Sequence, residues 1–125
     1  MIGLIAVIVG SAIILAWGAA HIVPVRSVVK GFGEISSDNR RIITMEWISE
    51  GLTLCFIGVL VLLVCLWAGA NHPASILVYR SSAVMLLVMA GLTLFTGAKT
   101  SMAPIKICPI VKTTAAALLL VGSIA

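Results

Sequence analysis

Residues 40–50 read RRIITMEWISE, and they lead directly into the most apolar run of the chain, Gly51 to Ala68. The stretch contains two of the four acidic residues of the protein, Glu46 and Glu50. A polar entrance followed by a long apolar run is typical of a helix that enters a lipid bilayer. We therefore predict a membrane-spanning helix here, with any specific function at or beside its polar entrance.

The composition of the whole chain supports this interpretation. Of its 125 residues, 62% are hydrophobic and only 10% are charged, whereas soluble domains carry roughly 25% charged residues. The mean hydropathy is +1.26. These values predict an integral membrane protein, and they leave little room for a soluble domain.

The apolar runs predict four helices. Ile2 to Ala20 would extend over roughly 28 Å as a helix, about the thickness of a bilayer core. A signal peptide is the rival interpretation of this run, but it needs a positively charged segment in front, and no Lys or Arg precedes Ile2. The predicted helices cover about residues 2–23, 39–68, 76–96 and 109–123, the last one starting earlier if it continues through Pro109 with a kink.

The basic residues are distributed unevenly over the predicted loops. Seven of them fall in the first and third loops: Arg26, Lys30, Arg40, Arg41, Lys99, Lys106 and Lys112. Arg80 alone falls at the other face. The positive-inside rule then predicts a multi-pass protein of the cell membrane with both termini outside and with cytoplasmic loops at residues 24–41 and 97–112. The net charge of +4 is thus a topology signal, and we expect no nucleic-acid partner.

The segment from Pro24 to Asn39 is the longest polar part of the chain. Its valines recur at helical spacing, with Arg26 and Lys30 on another face, which fits a short amphipathic helix on the membrane surface. An ordinary loop folded against the membrane is the alternative. Ser36, Ser37 and Asp38 are N-cap candidates for the helix that follows.

Polar residues of several predicted helices collect at the cytoplasmic end. His21 ends the first helix, Glu46 and Glu50 begin the second, and Lys112 begins the fourth. Glu46 and Glu50 are spaced i, i+4 and share one helix face. Carboxylates near lipid are costly unless they are paired, protonated or turned towards protein. We therefore predict a polar cluster formed by His21, Glu46, Glu50 and Lys112.

Four interpretations of this cluster remain open. It is a structural ion-pair network that fixes the helix ends, a binding or proton-linked site, a metal site, or an interface with another membrane subunit. Partial burial disfavours a charged carboxylate, which suits proton exchange. The metal hypothesis takes His21, Glu46 and Glu50 as ligands, but the paired E-x-x-H motifs of di-iron bundles are absent. Cys55, Cys65 and Cys108 form no C-x-x-C pair and are interpreted as small buried hydrophobic residues.

The first predicted helix ends in the segment WGAAH, Trp17 to His21. The chain resembles the broad group of DoxX-like bacterial and archaeal membrane proteins in this segment, in its overall length and in the number of its predicted helices. The resemblance implies a small four-helix membrane protein, and some members are similar to subunits of respiratory or redox complexes. It carries no functional residue over to this chain. Small multidrug transporters also have four short helices, but they hold a carboxylate deep in the first helix, and this one has none.

The sequence thus predicts an all-α, polytopic membrane protein with an antiparallel four-helix transmembrane bundle as its single domain. The leading hypothesis for its function is a binding or accessory subunit, and the alternative is a proton-coupled transporter of a small solute that works as an oligomer. An enzyme ranks third, because the sequence offers neither a nucleophile nor a convincing metal constellation, and no nucleophile elbow, phosphate loop or haem motif is present. The expected partners are the bilayer and either further copies of the chain or a larger membrane complex, and no catalytic residue or cofactor is implied.

Overall fold

A computed structural model describes all 125 residues, and the chain is helical with short connections. The elements are α1 (Ile2–Ile22), α2 (Val25–Lys30), α3 (Ser37–Ala68), α4 (Pro73–Phe95), a 3-10 turn (Gly97–Lys99) and α5 (Ala103–Ile124). Four of them, α1, α3, α4 and α5, are long and apolar enough to cross a membrane. The predicted number of such helices is confirmed.

The ends of α3 follow from local chemistry. Ser36 is its N-cap residue, and the Ser36 hydroxyl accepts a hydrogen bond of 3.1 Å from the Asn39 backbone N–H. At the other end, Gly69 adopts a positive φ of 95°, which favours glycine. The 32 residues of α3 correspond to about 48 Å, so this helix exceeds a bilayer core of about 30 Å.

Two predicted helix starts were too late. α4 begins at Pro73 instead of residue 76, because His72 caps it by accepting a 3.2 Å hydrogen bond from the Ala74 N–H. α5 begins at Ala103 instead of residue 109, which is the earlier start that the sequence analysis left open, and the segment 97–112, predicted as a loop, is therefore mostly helical. Proline is tolerated in a first helical turn, where Pro104 lies. Pro109 lies inside α5, which membrane helices also accommodate.

The four long helices pack around one apolar core. α1 lies between α3 and α5, and α4 packs mainly against α5 and less extensively against α3. Fully buried apolar side chains from all four helices form the centre of this core, among them Ile14, Leu54, Leu86 and Leu119. The connection between α1 and α3 contains the short helix α2. This confirms that the segment after Pro24 contains a short helix and is not an ordinary loop throughout.

Small residues set the distance between α1 and α3. A Cβ atom added at Gly18 would lie 2.6 Å from the Cys55 Sγ and 2.7 Å from the Gly51 carbonyl oxygen. Only glycine fits at such a separation, so the two backbones are in direct contact. This contact lies one residue from Trp17 on α1 and one residue from Glu50 on α3, and it brings the polar ends of the two helices together.

Candidate functional site

An ion pair between Glu50 of α3 and Lys112 of α5 forms the centre of a polar cluster at one end of the bundle. The Lys112 ammonium donates to the Glu50 Oε1. The Lys112 side chain is 1% exposed, whereas the Glu50 side chain is 29% exposed. A buried ammonium needs such a partner, because an unpaired charge away from water costs about 3–5 kcal/mol. The pair therefore ties α3 to α5.

Lys112 also contacts α4. Its Nζ donates a second hydrogen bond, of 3.2 Å, to the Thr93 Oγ1. The Thr93 hydroxyl in turn donates to the Met89 carbonyl oxygen at 2.9 Å. Two of the three ammonium N–H groups are thus used by Glu50 and Thr93, and the Cys108 side chain of α5 is a further, weaker partner.

His21 adds α1 to the cluster and has a defined tautomer. Its Nδ1 lies 2.8 Å from the Trp17 carbonyl oxygen, which can only accept, so Nδ1–H is the donor. The other ring nitrogen, Nε2, faces the cluster and lies 3.9 Å from the Glu50 Oε1. A neutral His21 therefore presents its Nε2 lone pair to the carboxylate side of the cluster.

Cys108 of α5 occupies the remaining corner. Its Sγ lies 3.9 Å from the His21 Nε2 and 3.9 Å from the Glu50 Oε1. The Trp17 indole Nε1–H donates to the same sulfur at 3.2 Å. Cys108 is 3% exposed, so this sulfur is held in a closed and partly polar environment.

Trp47 closes the cluster on the side of α3. Its ring centroid lies 5.0 Å from that of His21, with the two planes tilted by 31°. The Trp47 Nε1–H is buried and has no protein acceptor. An unsatisfied buried donor costs about 1–3 kcal/mol. A bound molecule with a hydrogen-bond acceptor can therefore stabilise the site by pairing with this N–H.

A cleft of about 490 Å³ opens beside the Glu50–Lys112 pair. Thr93, Trp47 and Glu46 also line it, and its apolar wall consists of Ile42, Ile43, Met89, Leu92 and Ile105. All polar contacts of the Glu50 carboxylate within the protein use Oε1, so Oε2 retains its capacity to accept. The cleft thus combines apolar walls with one free carboxylate oxygen and the neighbouring Lys112 ammonium.

The structure brings three of the four predicted site residues into contact. His21, Glu50 and Lys112 lie together as expected from the sequence. Glu46 lies at the rim of the cleft, is exposed, and forms no ion pair or side-chain hydrogen bond. The sequence analysis counted Lys112 among the basic residues of a cytoplasmic loop. The structure corrects this prediction, because Lys112 is a buried residue of α5.

Cys108 and Trp17 are site residues that the sequence analysis did not select. Cys108 was interpreted as a small hydrophobic residue, and it is indeed buried, but its sulfur contacts three polar groups. Helical spacing could have indicated both residues, since Cys108 and Lys112 are four residues apart, as are Trp17 and His21. Such pairs share a helix face, and each pair ends in a residue that was already a candidate.

Comparison with known proteins gives no match to a family model, a curated protein or a solved structure. The DoxX-like resemblance stays a prediction. The functional proposals below therefore depend on the geometry of the polar cluster and of the cleft beside it.

Proposed function

We propose that this chain is a small multi-pass membrane protein that binds the polar head of an amphipathic small molecule in the cleft beside Glu50 and Lys112, as a binding or accessory subunit. The observation that carries the proposal is the ion pair of the buried Lys112 with the partly exposed Glu50 at the edge of a cleft with apolar walls. Ligand sites in proteins are typically clefts of about 300–1,000 Å³ with apolar walls and a few convergent polar groups.

The free hydrogen-bonding groups define the head group that fits. The Glu50 Oε2 accepts and the Lys112 ammonium donates, so a head group with one donor and one acceptor matches the pair. The charges of Glu50 and Lys112 cancel each other. A neutral or zwitterionic head group therefore fits the pair better than an anion or a cation does.

The same proposal includes an orientation in the membrane. Contacts between α1 and α3 pair Gly18 with Gly51 and Ser11 with Gly58, so the residue numbers run in opposite directions along the two helices. This pairing supports an antiparallel bundle. The exposed basic residues in and beside the α1–α3 and α4–α5 connections support a cytoplasmic position for the end with the cleft, with both termini outside.

Proton-coupled transport by an oligomer is the alternative function, and the arrangement of the core bears on it. Beyond the polar cluster, the centre of the bundle is filled by fully buried apolar side chains, including Leu54, Leu86 and Leu119. A single chain therefore offers no continuous polar path to its other end, which favours binding. If transport occurs across an interface between copies, Glu50→Gln is expected to abolish proton-linked uptake into liposomes.

Head-group specificity tests the binding proposal. Wild-type protein in nanodiscs is titrated with medium-chain molecules of equal length that end in an amide, an amine or a carboxylic acid, and bound probe is counted by native mass spectrometry. We expect the amide to bind best. Lys112→Met and Thr93→Val should weaken amide binding at least about tenfold, which corresponds to one lost charge-assisted hydrogen bond of roughly 1.5–3 kcal/mol or to a displaced ammonium.

Thr114→Val is the matched control. Thr114 lies two residues from Lys112 on the same helix, is exposed, and donates its hydroxyl hydrogen bond to the Ile110 carbonyl oxygen outside the cluster. This variant should bind the amide as the wild type does. Equal amide binding by wild type, Thr93→Val and Lys112→Met would overturn the proposed function.

A further inference from the structure

We propose that His21, Glu50 and Cys108 form a binding site for a thiophilic divalent ion of the zinc class. The three donor atoms come from three helices, namely His21 Nε2 of α1, Glu50 Oε1 of α3 and Cys108 Sγ of α5. This metal triad is separate from the head-group site in the cleft, although Glu50 belongs to both.

The donor atoms form an equilateral triangle of the right size. The distances Nε2–Oε1, Nε2–Sγ and Sγ–Oε1 are each 3.9 Å. The point equidistant from three such atoms in their plane lies 3.9/√3, about 2.25 Å, from each of them, which is close to the zinc–ligand distances of about 2.0–2.3 Å. An ion therefore fits without movement of the backbone.

The chemistry of the donors also suits such an ion. One imidazole, one thiolate and one carboxylate form a mixed set of the kind that binds zinc, and the thiolate excludes magnesium and calcium as natural occupants. Thiolate and carboxylate together carry two negative charges, which a divalent ion neutralises. Binding releases the thiol proton of Cys108 to solvent.

Trp17 orients two of the three ligands. Its carbonyl oxygen accepts the Nδ1–H of His21 at 2.8 Å, which leaves Nε2 as the free ligand atom. Its indole N–H donates to the Cys108 Sγ at 3.2 Å, which stabilises a thiolate. Metal sites in proteins use this kind of outer hydrogen bond to fix the ring tautomer and the ligand position.

Lys112 is the natural competitor of the ion. Its ammonium donates to the same Glu50 Oε1 that would bind the metal. The Lys112 ammonium and the metal ion therefore compete for this oxygen. Thr93 provides Lys112 with a second acceptor, which remains when Glu50 turns to the metal. The competition predicts tighter metal binding in Lys112→Met, the opposite of the loss that this variant should cause in the cleft.

Two cavities border ligands of the triad. Glu50 lines the cleft on one side. On the other side, His21 lines a second cavity of about 480 Å³, which Trp17, Ser27 and Met102 also border. Two of the three ligands thus border a cavity, whereas Cys108 is 3% exposed and lines neither of them.

Cobalt and zinc titrations test the proposal. The full chain is purified in mild detergent with a tag that contains no histidine and without chelators, and Co²⁺ is added as a spectroscopic probe. We expect one ion per chain, a sulfur-to-cobalt charge-transfer band, the visible bands of low-coordinate Co²⁺, and displacement by Zn²⁺. Zn²⁺ should also raise the melting temperature of the wild type.

Matched variants identify the ligands. Cys108→Ser should abolish the charge-transfer band, and His21→Ala should weaken binding at least about tenfold. Cys55→Ser and His72→Ala should leave Co²⁺ binding and the charge-transfer band unchanged, because the Cys55 thiol donates to the Leu15 carbonyl oxygen at 3.8 Å and His72 lies exposed in the α3–α4 connection, away from the triad. Lys112→Met should bind Co²⁺ more tightly than the wild type.

Two results would overturn the metal triad. One is a wild type that binds no Co²⁺ or Zn²⁺ while its melting temperature shows a folded protein. The other is a Cys108→Ser variant with the ion content and spectrum of the wild type, which would mean an adventitious ion only. Neither result affects the cleft, because amide binding by Cys108→Ser is measured separately.

Discussion

Glu46 and Glu50 are the same residue type one helical turn apart, yet only Glu50 joins the polar cluster. The buried residues of α3 recur at Gly51, Leu54, Gly58 and Val61, with alternating spacings of three and four. Continued towards the N-terminus, this stripe reaches residue 47, so Trp47 faces inward and Glu46 lies beside it at the rim. The i, i+4 rule correctly placed both carboxylates on one face but did not show which of them faces the core.

A stability comparison tests this difference at the level of single residues. Glu50→Gln leaves the Lys112 ammonium buried without a charged partner, and we expect it to lower the free energy of unfolding by about 3 kcal/mol. Glu46→Gln should have little effect, because Glu46 has no partner in the structure. Equilibrium unfolding in mixed micelles measures both changes.

The double variant Glu50→Gln/Lys112→Met provides the control. It removes the uncompensated charge, so it should recover much of the stability that Glu50→Gln loses. A Glu50→Gln protein as stable as the wild type would contradict the role of the ion pair.

At the level of the elements, contact between glycines determines how α1 and α3 are rotated and how closely they approach. The sequence analysis did not single out Gly51 as the partner of Gly18, and in the structure a Cβ atom added at Gly18 would meet the Gly51 carbonyl oxygen. Membrane helices associate largely through such close packing, since lipid chains are as apolar as the helix surfaces. The glycine contact fixes the rotation of α1 about its own axis, and this rotation turns Trp17 and His21 towards α3 and α5.

Gly18→Ala tests this packing. The added methyl group would lie 2.6 Å from the Cys55 Sγ and 2.7 Å from a backbone oxygen, and overpacking of this kind typically costs about 1–3 kcal/mol. Gly91→Ala is the matched control on α4, because nothing lies within 4 Å of its new methyl group. The control should be neutral or more stable by up to about 1 kcal/mol, since alanine favours helix. Equal stability of the two variants would argue against the glycine contact.

The start of α5 shows why prolines misled the prediction of helix ends. Pro109 is a buried residue inside the helix, and its missing N–H leaves only the Ile105 carbonyl oxygen without its usual partner. In the turn before Pro109, Cys108 accepts a hydrogen bond from Trp17 of α1, and Ile105 packs against Gly97 of the 3-10 turn. As a result, Cys108 lies on a continuous helix with Lys112 and at a fixed separation from it.

At the scale of the whole molecule, the distribution of charge gives a testable orientation. A phosphatase that is active only outside the cell, inserted at Asn71, should be active, and the same reporter inserted at Ser101 should be inactive. A fluorescent protein that folds only in the cytoplasm should show the reverse pattern. Both insertion sites are exposed residues in connections between helices, so the fold should tolerate them. The opposite activity pattern would show that the bundle is inverted.

The sequence by itself determined that the chain has four helices long and apolar enough to span a membrane, and it located His21, Glu50 and Lys112 as polar residues at one end. Hydrophobicity and charge are local and additive along a chain, so apolar runs and basic loops can be recognised without neighbours. The tertiary structure decided that Glu46 stays at the rim, that Lys112 is buried, and that the Cys108 sulfur lies 3.9 Å from both the His21 Nε2 and the Glu50 Oε1. These outcomes depend on the rotation of each helix about its axis, which is fixed by close contacts between residues such as Gly18 and Gly51 that are distant in sequence.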